Sequence, residues 1–283
     1  MPYTTLQLSI NDAIAHLTLN RPQALNSLNR AFWHEFPAAL HEIADSSADI
    51  RVLVISSTGK HFSAGMDLEV FSQPDPRMFG GEAGRRAEFM RRMVLELQAC
   101  FNALEKLRIP VLAAVQGGCI GGALDMVCAC DCRYCSTDAF FCIKETELGI
   151  TADLGTLQRL PTLISPGLVR ELAYTGRNLD AAEAKACGLV NQVFADSDSL
   201  LAGVLDIARQ MAAQSPLAVT GCKTMLNYAR DHSVNDSLEY MATWQAGMFQ
   251  PTDLQESLVA KQQKRATAYA PLLPQEATLT KAP

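Results

Sequence analysis

The chain has no apolar run near the roughly 20 residues that span a bilayer. Val111 to Val115 and Ala139 to Ile143 are only five residues long, so no transmembrane helix is expected. Positive charge is also scarce: 24 Lys and Arg stand against 30 Asp and Glu, a net charge of −6. That balance gives no electrostatic reason to expect nucleic acid or a membrane surface as partner, and an anionic ligand would need local cations. A Walker-type GK[ST] is missing, and Gly117, Gly118, Gly121 and Gly122 do not form GxGxxG, which excludes the common phosphate-cradling loops. His61 and His232 stand apart from any serine or cysteine nucleophile context, against a hydrolase triad. Nine cysteines include Cys128, Cys130, Cys132 and Cys135, but paired CxxC elements and a nearby histidine are lacking. The alternation Cys128-Ala-Cys130-Asp-Cys132 reads as one strand face, which does not close a tetrahedral site. We expect free thiols used as small apolar residues, with no metal and no cofactor. The N-terminal Met-Pro-Tyr-Thr-Thr-Leu carries no targeting pattern, and Thr280-Lys-Ala-Pro283 is not a peroxisomal address, so the expected location is cytoplasmic.

What is present suits a folded protein of 283 residues with one substantial core. Thr4 to Ile10 and Ala13 to Leu19 flank Asn11-Asp12 as a hairpin. Asn26-Ser27 is read as the cap of a helix to about Ile43, which Pro37 should kink or interrupt. Val52 to Ser56 reads as a buried strand, Gln73 to Gly84 as a Pro/Gly-rich surface loop, and Arg85 to Leu107 as a long amphipathic helix. Val111 to Val115 is a strand, and Gly121-Gly122 opens a helix carrying Asp125. Strands alternating with helices predict an α/β fold. From residue 200 the pattern is helical: Leu200 to Ala213, Pro216 to Arg230, Val234 to Gln250 and Asp253 to Tyr269. The expected organisation is a core over 1–199 and a C-terminal helical module over 200–283.

Asp125, Glu145 and Asp153 lie within Val115 to Pro161, a segment otherwise rich in apolar and small residues. Charges there lose hydration, so they must be paired, protonated or used in chemistry. Glu147, two residues from Glu145, is a competing assignment, and Asp131 reads as a structural hydrogen-bond partner. Asp67 is placed to cap a following helix.

Leu19-Asn-Arg-Pro22, Phe62-Ser-Ala-Gly-Met-Asp67 and Val115-Gln-Gly-Gly-Cys-Ile-Gly-Gly122 resemble signature segments of the crotonase, or enoyl-CoA hydratase/isomerase, superfamily. The resemblance runs from about Leu6 to Tyr269. It implies a spiral of ββα repeats with C-terminal helices, a homotrimer or dimer of trimers, and an acyl-CoA thioester substrate whose coenzyme A is not a separate cofactor. By motif position it places the backbone N–H groups of Met66 and Gly122 at the thioester oxygen, as an oxyanion hole. It also offers Ala64 and the backbone near Met66 for the adenine. Arg21, Lys261, Lys264 and Arg265 would meet the coenzyme's phosphates, the last three on a final helix that can serve a neighbouring subunit.

Hydratases of this family have glutamates at the positions of Asp125 and Glu145 and a small residue, commonly glycine, at that of Asp153. The trio found here is similar to the branch that isomerises 3,5-dienoyl thioesters to 2,4-dienoyl thioesters in fatty-acid β-oxidation. That reaction takes a proton from carbon 2 and delivers one to carbon 6, which one short side chain can hardly do. By analogy Asp153 is the base, Glu145 the acid and Asp125 an orienting group, although the residues alone leave the direction open. A hydratase and a non-catalytic CoA-binding subunit are the rival expectations.

Overall fold

The computed structural model describes residues 3–46 and 49–274. Its strands are β1 (Leu6–Asn11), β2 (Ile14–Leu19), β3 (Val52–Ser57), β4 (Val111–Val115), β5 (Gly118–Ile120), β6 (Cys132–Ser136), β7 (Phe140–Cys142), β8 (Leu179–Asp180) and β9 (Gln192–Phe194). Among and between them run α1 (Arg30–Asp45), α2 (Leu68–Ser72), α3 (Ala83–Lys106), α4 (Gly122–Cys128), α5 (Thr156–Arg159), α6 (Pro166–Thr175) and α7 (Ala181–Ala186). The chain continues with α8 (Ser197–Ala212), α9 (Pro216–Asp231), α10 (Val234–Met248) and α11 (Pro251–Gln263). No helix among the described residues is long and apolar enough to cross a membrane.

The large sheet has the order β1-β2-β3-β4-β6-β9, antiparallel at the first pair and parallel thereafter. A second sheet, β5-β7-β8, receives the strand that follows β4 and the strand that follows β6. This is the ββα repeat: one strand enters the large sheet, the next crosses to the small one, and helical turns follow. The hairpin turn is Asp12-Ala13, whose φ values of 51° and 63° match the twist of the flanking strands.

The central strands are buried on both faces, which is why they read as unbroken apolar runs. Leu53, Ile55, Val111, Ala113 and Val115 face a core shared with Phe32, Phe36, Phe101 and Leu104. Val52, Val54, Leu112 and Ala114 face the opposite way, onto Leu200, Val204, Ala208 and Ala212 of α8. The spacing of four along α8 makes that apolar stripe. The expected boundary between residues 199 and 200 falls inside α8 (Ser197–Ala212), a helix packed on the sheet.

Four local expectations are corrected. The cap of α1 is Asn29, which accepts from the Phe32 amide at 3.0 Å, while Asn26 takes a left-handed φ of 52°. Pro37 does not interrupt α1, which runs on to Asp45 with Ala39, Leu40 and Ile43 buried beyond it. Cys128 ends α4, Cys130 lies in the following turn and Cys132 opens β6, so they do not share a strand face. Burial pushes the Cys128 and Cys130 thiols up to about 12, which leaves them unreactive. The last helix stops at Gln263 rather than Tyr269, with Lys264 in a left-handed cap at φ 53°. The chain then folds back, the Arg265 guanidinium pairing with Glu256 at 2.5 Å and Tyr269 meeting Ser257 at 2.6 Å.

Candidate active site

The loop after β3 and the loop after β4 are stitched together by backbone hydrogen bonds. Phe62 N–H donates to Gln116 O at 2.8 Å, Ser63 N–H to Gly118 O at 3.0 Å and Ile120 N–H to Ser63 O at 3.1 Å. A third segment joins them: Leu28 N–H donates to Gly65 O at 2.8 Å and Asp67 N–H to Leu28 O at 3.2 Å. The N–H groups on either side of Met66 are both engaged, that of Gly65 donating to Ser63 Oγ at 3.1 Å and that of Asp67 to Leu28 O. Neither the Met66 N–H nor the Gly122 N–H donates to an acceptor among the described residues. The two nitrogens stand close, since a Cβ built on Gly122 would lie 4.0 Å from Met66 N. Gly122 is the first residue of α4, so its amide carries the positive end of that short helix.

Close approach explains the glycines here. A Cβ on Gly65 would sit 2.4 Å from Ile120 O, with φ at +84°. Gly121 has φ 54° and ψ −122°, a combination essentially reserved for glycine, and a Cβ there would press on Glu145 Oε1 at 3.1 Å.

Asp125 is carried on α4, every residue of which is buried. Its Oδ1 accepts the Thr156 N–H at 2.5 Å. Burial pushes its carboxyl up to about 6, the Thr156 bond opposing and the charge of Asp153 adding. Glu145 opens a 3₁₀ turn, Glu145–Leu148. Its Oε2 is buried and meets no hydrogen-bond partner among the described residues. Burial pushes this carboxyl up to about 7, and repulsion from Asp125 and Asp153 contributes. Asp153 is exposed in the single chain, and the protein crowding one side of it raises its pKa in the same direction. Its carbonyl accepts from Gln98 Nε2 of α3 at 2.6 Å. The three carboxylates thus form one electrostatic group, in which burial and mutual repulsion push Glu145 up to about 7, so that it titrates near neutrality.

The remaining expected site residues fall differently. Ala64 is half-buried beside Met66, its N–H donating to Leu25 O at 2.9 Å. The Arg21 guanidinium donates to Ser27 O at 2.7 Å and pairs with Asp67 at 3.2 Å, so it is engaged within the loop. Asp67 also caps α2 through the Glu69 amide at 3.1 Å. Lys261 lies on α11, but Lys264 and Arg265 lie beyond it. That region is anchored through Tyr269 O to the guanidinium of Arg51 at 2.8 Å, beside the start of β3, whereas the glycine loops leave the strands' other ends. A single chain therefore does not bring these lysines to the carboxylates. Glu147 pairs with Lys144 and packs on Gly176, so it does not share the face of Glu145. Asp131 accepts from Lys223 Nζ and from the Val111 N–H, both at 2.7 Å, in the structural role expected.

Asn26, Gln98 and Thr156 were not anticipated in their roles. Asn26 donates to Thr58 O at 2.7 Å and to His61 O at 2.9 Å, and accepts from the Arg21 amide at 2.8 Å. It thereby anchors the base of the first glycine loop. An asparagine just after Leu25 in a turn was the available signal, since this residue tolerates left-handed backbone. The partners of Gln98 and Thr156 lie far along the chain and had no local signal.

Three carboxyls of elevated pKa beside an unspent pair of amides define a site for acid/base chemistry on a substrate that develops oxyanion charge. A family model described as Enoyl-CoA hydratase/isomerase matches residues 9–270. The chain belongs to that family. It is 44% identical over 274 residues to a protein of Arabidopsis thaliana named Delta(3,5)-Delta(2,4)-dienoyl-CoA isomerase, peroxisomal, covering 95% of this chain and 98% of the relative. It is also 44% identical to the Mus musculus protein named Delta(3,5)-Delta(2,4)-dienoyl-CoA isomerase, mitochondrial, covering 94% of this chain and 81% of the relative. Among solved structures, an enoyl-CoA hydratase from Bacillus anthracis superimposes with a TM-score of 0.83 at 30% identity, covering 94% of this chain and 99% of that one. The relatives' names place them in peroxisome and mitochondrion, and so lend the cytoplasmic expectation no support.

Proposed function

We propose that this protein isomerises 3,5-dienoyl-CoA to 2,4-dienoyl-CoA. The observation that carries the reading is the carboxylate trio beside the paired amides, with the Glu145 carboxyl pushed up to about 7, in a chain 44% identical to relatives named for this reaction. The thioester carbonyl accepts from the Met66 and Gly122 N–H groups. Asp153 takes a proton from carbon 2, and the electron pair delocalises over the carbonyl oxygen and the conjugated carbons out to carbon 6. Glu145 delivers its proton to carbon 6, leaving double bonds at carbons 2 and 4. Asp153 has then gained a proton and Glu145 lost one, and exchange with solvent restores both. The elevated pKa of Glu145 supports its assignment as acid, and the exposed position of Asp153 suits a base that must re-equilibrate. Asp125, fixed by Thr156, favours the protonated form of Glu145 by repulsion.

Lys261, Lys264 and Arg265 lie on and just beyond α11, in a region tied to Arg51 at the start of β3, so their contact with coenzyme phosphates would come from a neighbouring subunit, which supports assembly as a homotrimer or a pair of trimers. Exposed apolar side chains on and beside the C-terminal helices, among them Val234, Leu238, Phe249, Leu254 and Leu258, suit burial between copies. Sedimentation analysis tests this: a monomer at micromolar concentration would remove it. Activity is tested by comparing turnover of 3,5-dienoyl-CoA and 2-enoyl-CoA. The proposal predicts the first to be favoured; efficient hydration of the second without isomerisation of the first would replace it with a hydratase, and binding without any turnover with a non-catalytic subunit.

A further inference from the structure

His61 takes part in no proton transfer above, yet it sits on the seam between the two glycine loops. Its Nδ1 accepts the N–H of Gly118 at 2.8 Å. Gly118 is buried and begins the strand that runs three residues on into Gly121 and Gly122. The ring is closely held: a Cβ on Gly117 would lie 2.7 Å from Nδ1 and 2.2 Å from Lys60 O. Phe140 meets the imidazole edge-on at 6.1 Å between ring centroids. The His61 carbonyl is fixed as well, by Asn26 Nδ2 at 2.9 Å and Ser57 Oγ at 3.2 Å.

We propose that His61 is a positioning residue for the oxyanion amides, its neutral imidazole holding the strand that leads to Gly122 in register with the loop that carries Met66. The inference rests on the reading of Met66 and Gly122 as the oxyanion donors. The three backbone hydrogen bonds that join the loops do not titrate, nor do those from the Gln116 side-chain amide to Ser57 and Gly59; the His61 bond does. Protonation would set an N–H against the Gly118 N–H and remove the acceptor from a buried donor. The charged groups that act on the ring are Lys60, its neighbour in sequence, and Asp138 on the turn between β6 and β7. Burial and Lys60 hold the imidazole below its ordinary range, with Asp138 opposing. His61 is therefore an acceptor at neutral pH and loses that role on the acid side.

Two variants separate the acceptor from the ring. His61→Asn places an oxygen where Nδ1 stands and cannot be protonated in this range, whereas His61→Leu keeps bulk and removes the acceptor. The probe is the infrared carbonyl stretch of a bound saturated acyl-CoA labelled with ¹³C at carbon 1, read at about pH 8 and in steps down to about pH 4.5, well below the ordinary imidazole value because this ring is held below it. Amide donation lowers that frequency. We expect wild type to show the downshift at the higher pH and lose much of it at the lower, His61→Asn to keep it at both, and His61→Leu to lack it at both. In parallel, kcat on 3,5-dienoyl-CoA should fall about tenfold or more in His61→Leu and recover most of that loss in His61→Asn. Equal frequencies in His61→Leu and wild type, or the same pH response in His61→Asn as in wild type, would overturn the inference. Where His61→Leu does not fold, the comparison of His61→Asn with wild type across pH decides alone. A wild type that shifts the carbonyl but does not isomerise the dienoyl substrate would instead remove the functional reading and leave the role of His61 standing.

Discussion

Replacing Glu145 by glutamine should stabilise the protein at pH 8 while abolishing isomerisation. In the folded state this carboxyl is pushed from 4.5 up to about 7, first by burial and then by Asp125 and Asp153. Between those two values the folded chain holds a proton that the unfolded chain releases. Stability therefore falls as pH rises through that window, and the whole loss is present above about 7. At 1.36 kcal/mol per unit the shift corresponds to about 3 kcal/mol. The site opens to solvent and Glu145 is only partly enclosed, so screening reduces the effect to about 1–3 kcal/mol. Glutamine has nearly the same shape and no charge to desolvate, so it escapes the loss. For a chain of roughly this size, each kcal/mol moves the melting temperature by about 2–4 °C. The assay is thermal unfolding by circular dichroism at pH 5 and pH 8, at one protein concentration because assembly adds its own stabilisation. Glu145→Gln should gain on wild type at pH 8 and gain little at pH 5. Parallel pH dependence of the two proteins, or a variant less stable at pH 8, would refute the claim that Glu145 is held protonated by its surroundings.

Other perturbations probe the scaffold. Gly65→Ala puts a methyl 2.4 Å from Ile120 O at a φ of +84°, so the Met66 amide must move. We expect kcat to fall about 100- to 1,000-fold, the range for loss of one oxyanion donor, with acyl-CoA still bound in a calorimetric titration. Lys223→Met removes an ammonium that donates to Leu104 O and Ile109 O at 3.0 Å and to Asp131 at 2.7 Å. Denaturant unfolding should show a loss of about 2–4 kcal/mol, below the extreme for a broken buried pair because Asp131 retains some solvent. Isomerisation at low temperature should persist.

The parts of the site legible in the sequence were those whose chemistry is local. Glycines at 65, 121 and 122 marked backbone that must approach something closely, and both Gly65 and Gly121 have positive φ. Asp125, Glu145 and Asp153 stood out because carboxylates are costly in an apolar segment. The strands were legible because two-sided burial leaves an unbroken apolar run. Misreadings arose where several residues compete for one role. In Asn26-Ser27-Leu28-Asn29 three side chains can cap a helix, and only the long-range bonds of Asn26 to Thr58 and His61 assign the cap to Asn29. Glu147 looked equivalent to Glu145 in an extended segment, but the 3₁₀ turn and Lys144 send it elsewhere. The last helix ends at Gln263 with Lys264, not a glycine, in the left-handed cap, so nothing local marked the stop. The supports of Asp125 and Asp153 come from Thr156 and Gln98, contacts that no periodicity encodes.

The division of labour between two carboxylates is tested most directly by deuterium exchange. 3,5-Dienoyl-CoA incubated with each variant in D₂O, and read by proton NMR, reports the two proton transfers separately. Wild type should yield 2,4-dienoyl-CoA labelled at carbon 6. Glu145→Gln should exchange the carbon 2 protons of the substrate while forming little product, and Asp153→Asn should do neither. Isomerisation by Asp153→Asn at the wild-type rate, or loss of carbon 2 exchange in Glu145→Gln with normal exchange in Asp153→Asn, would contradict the account.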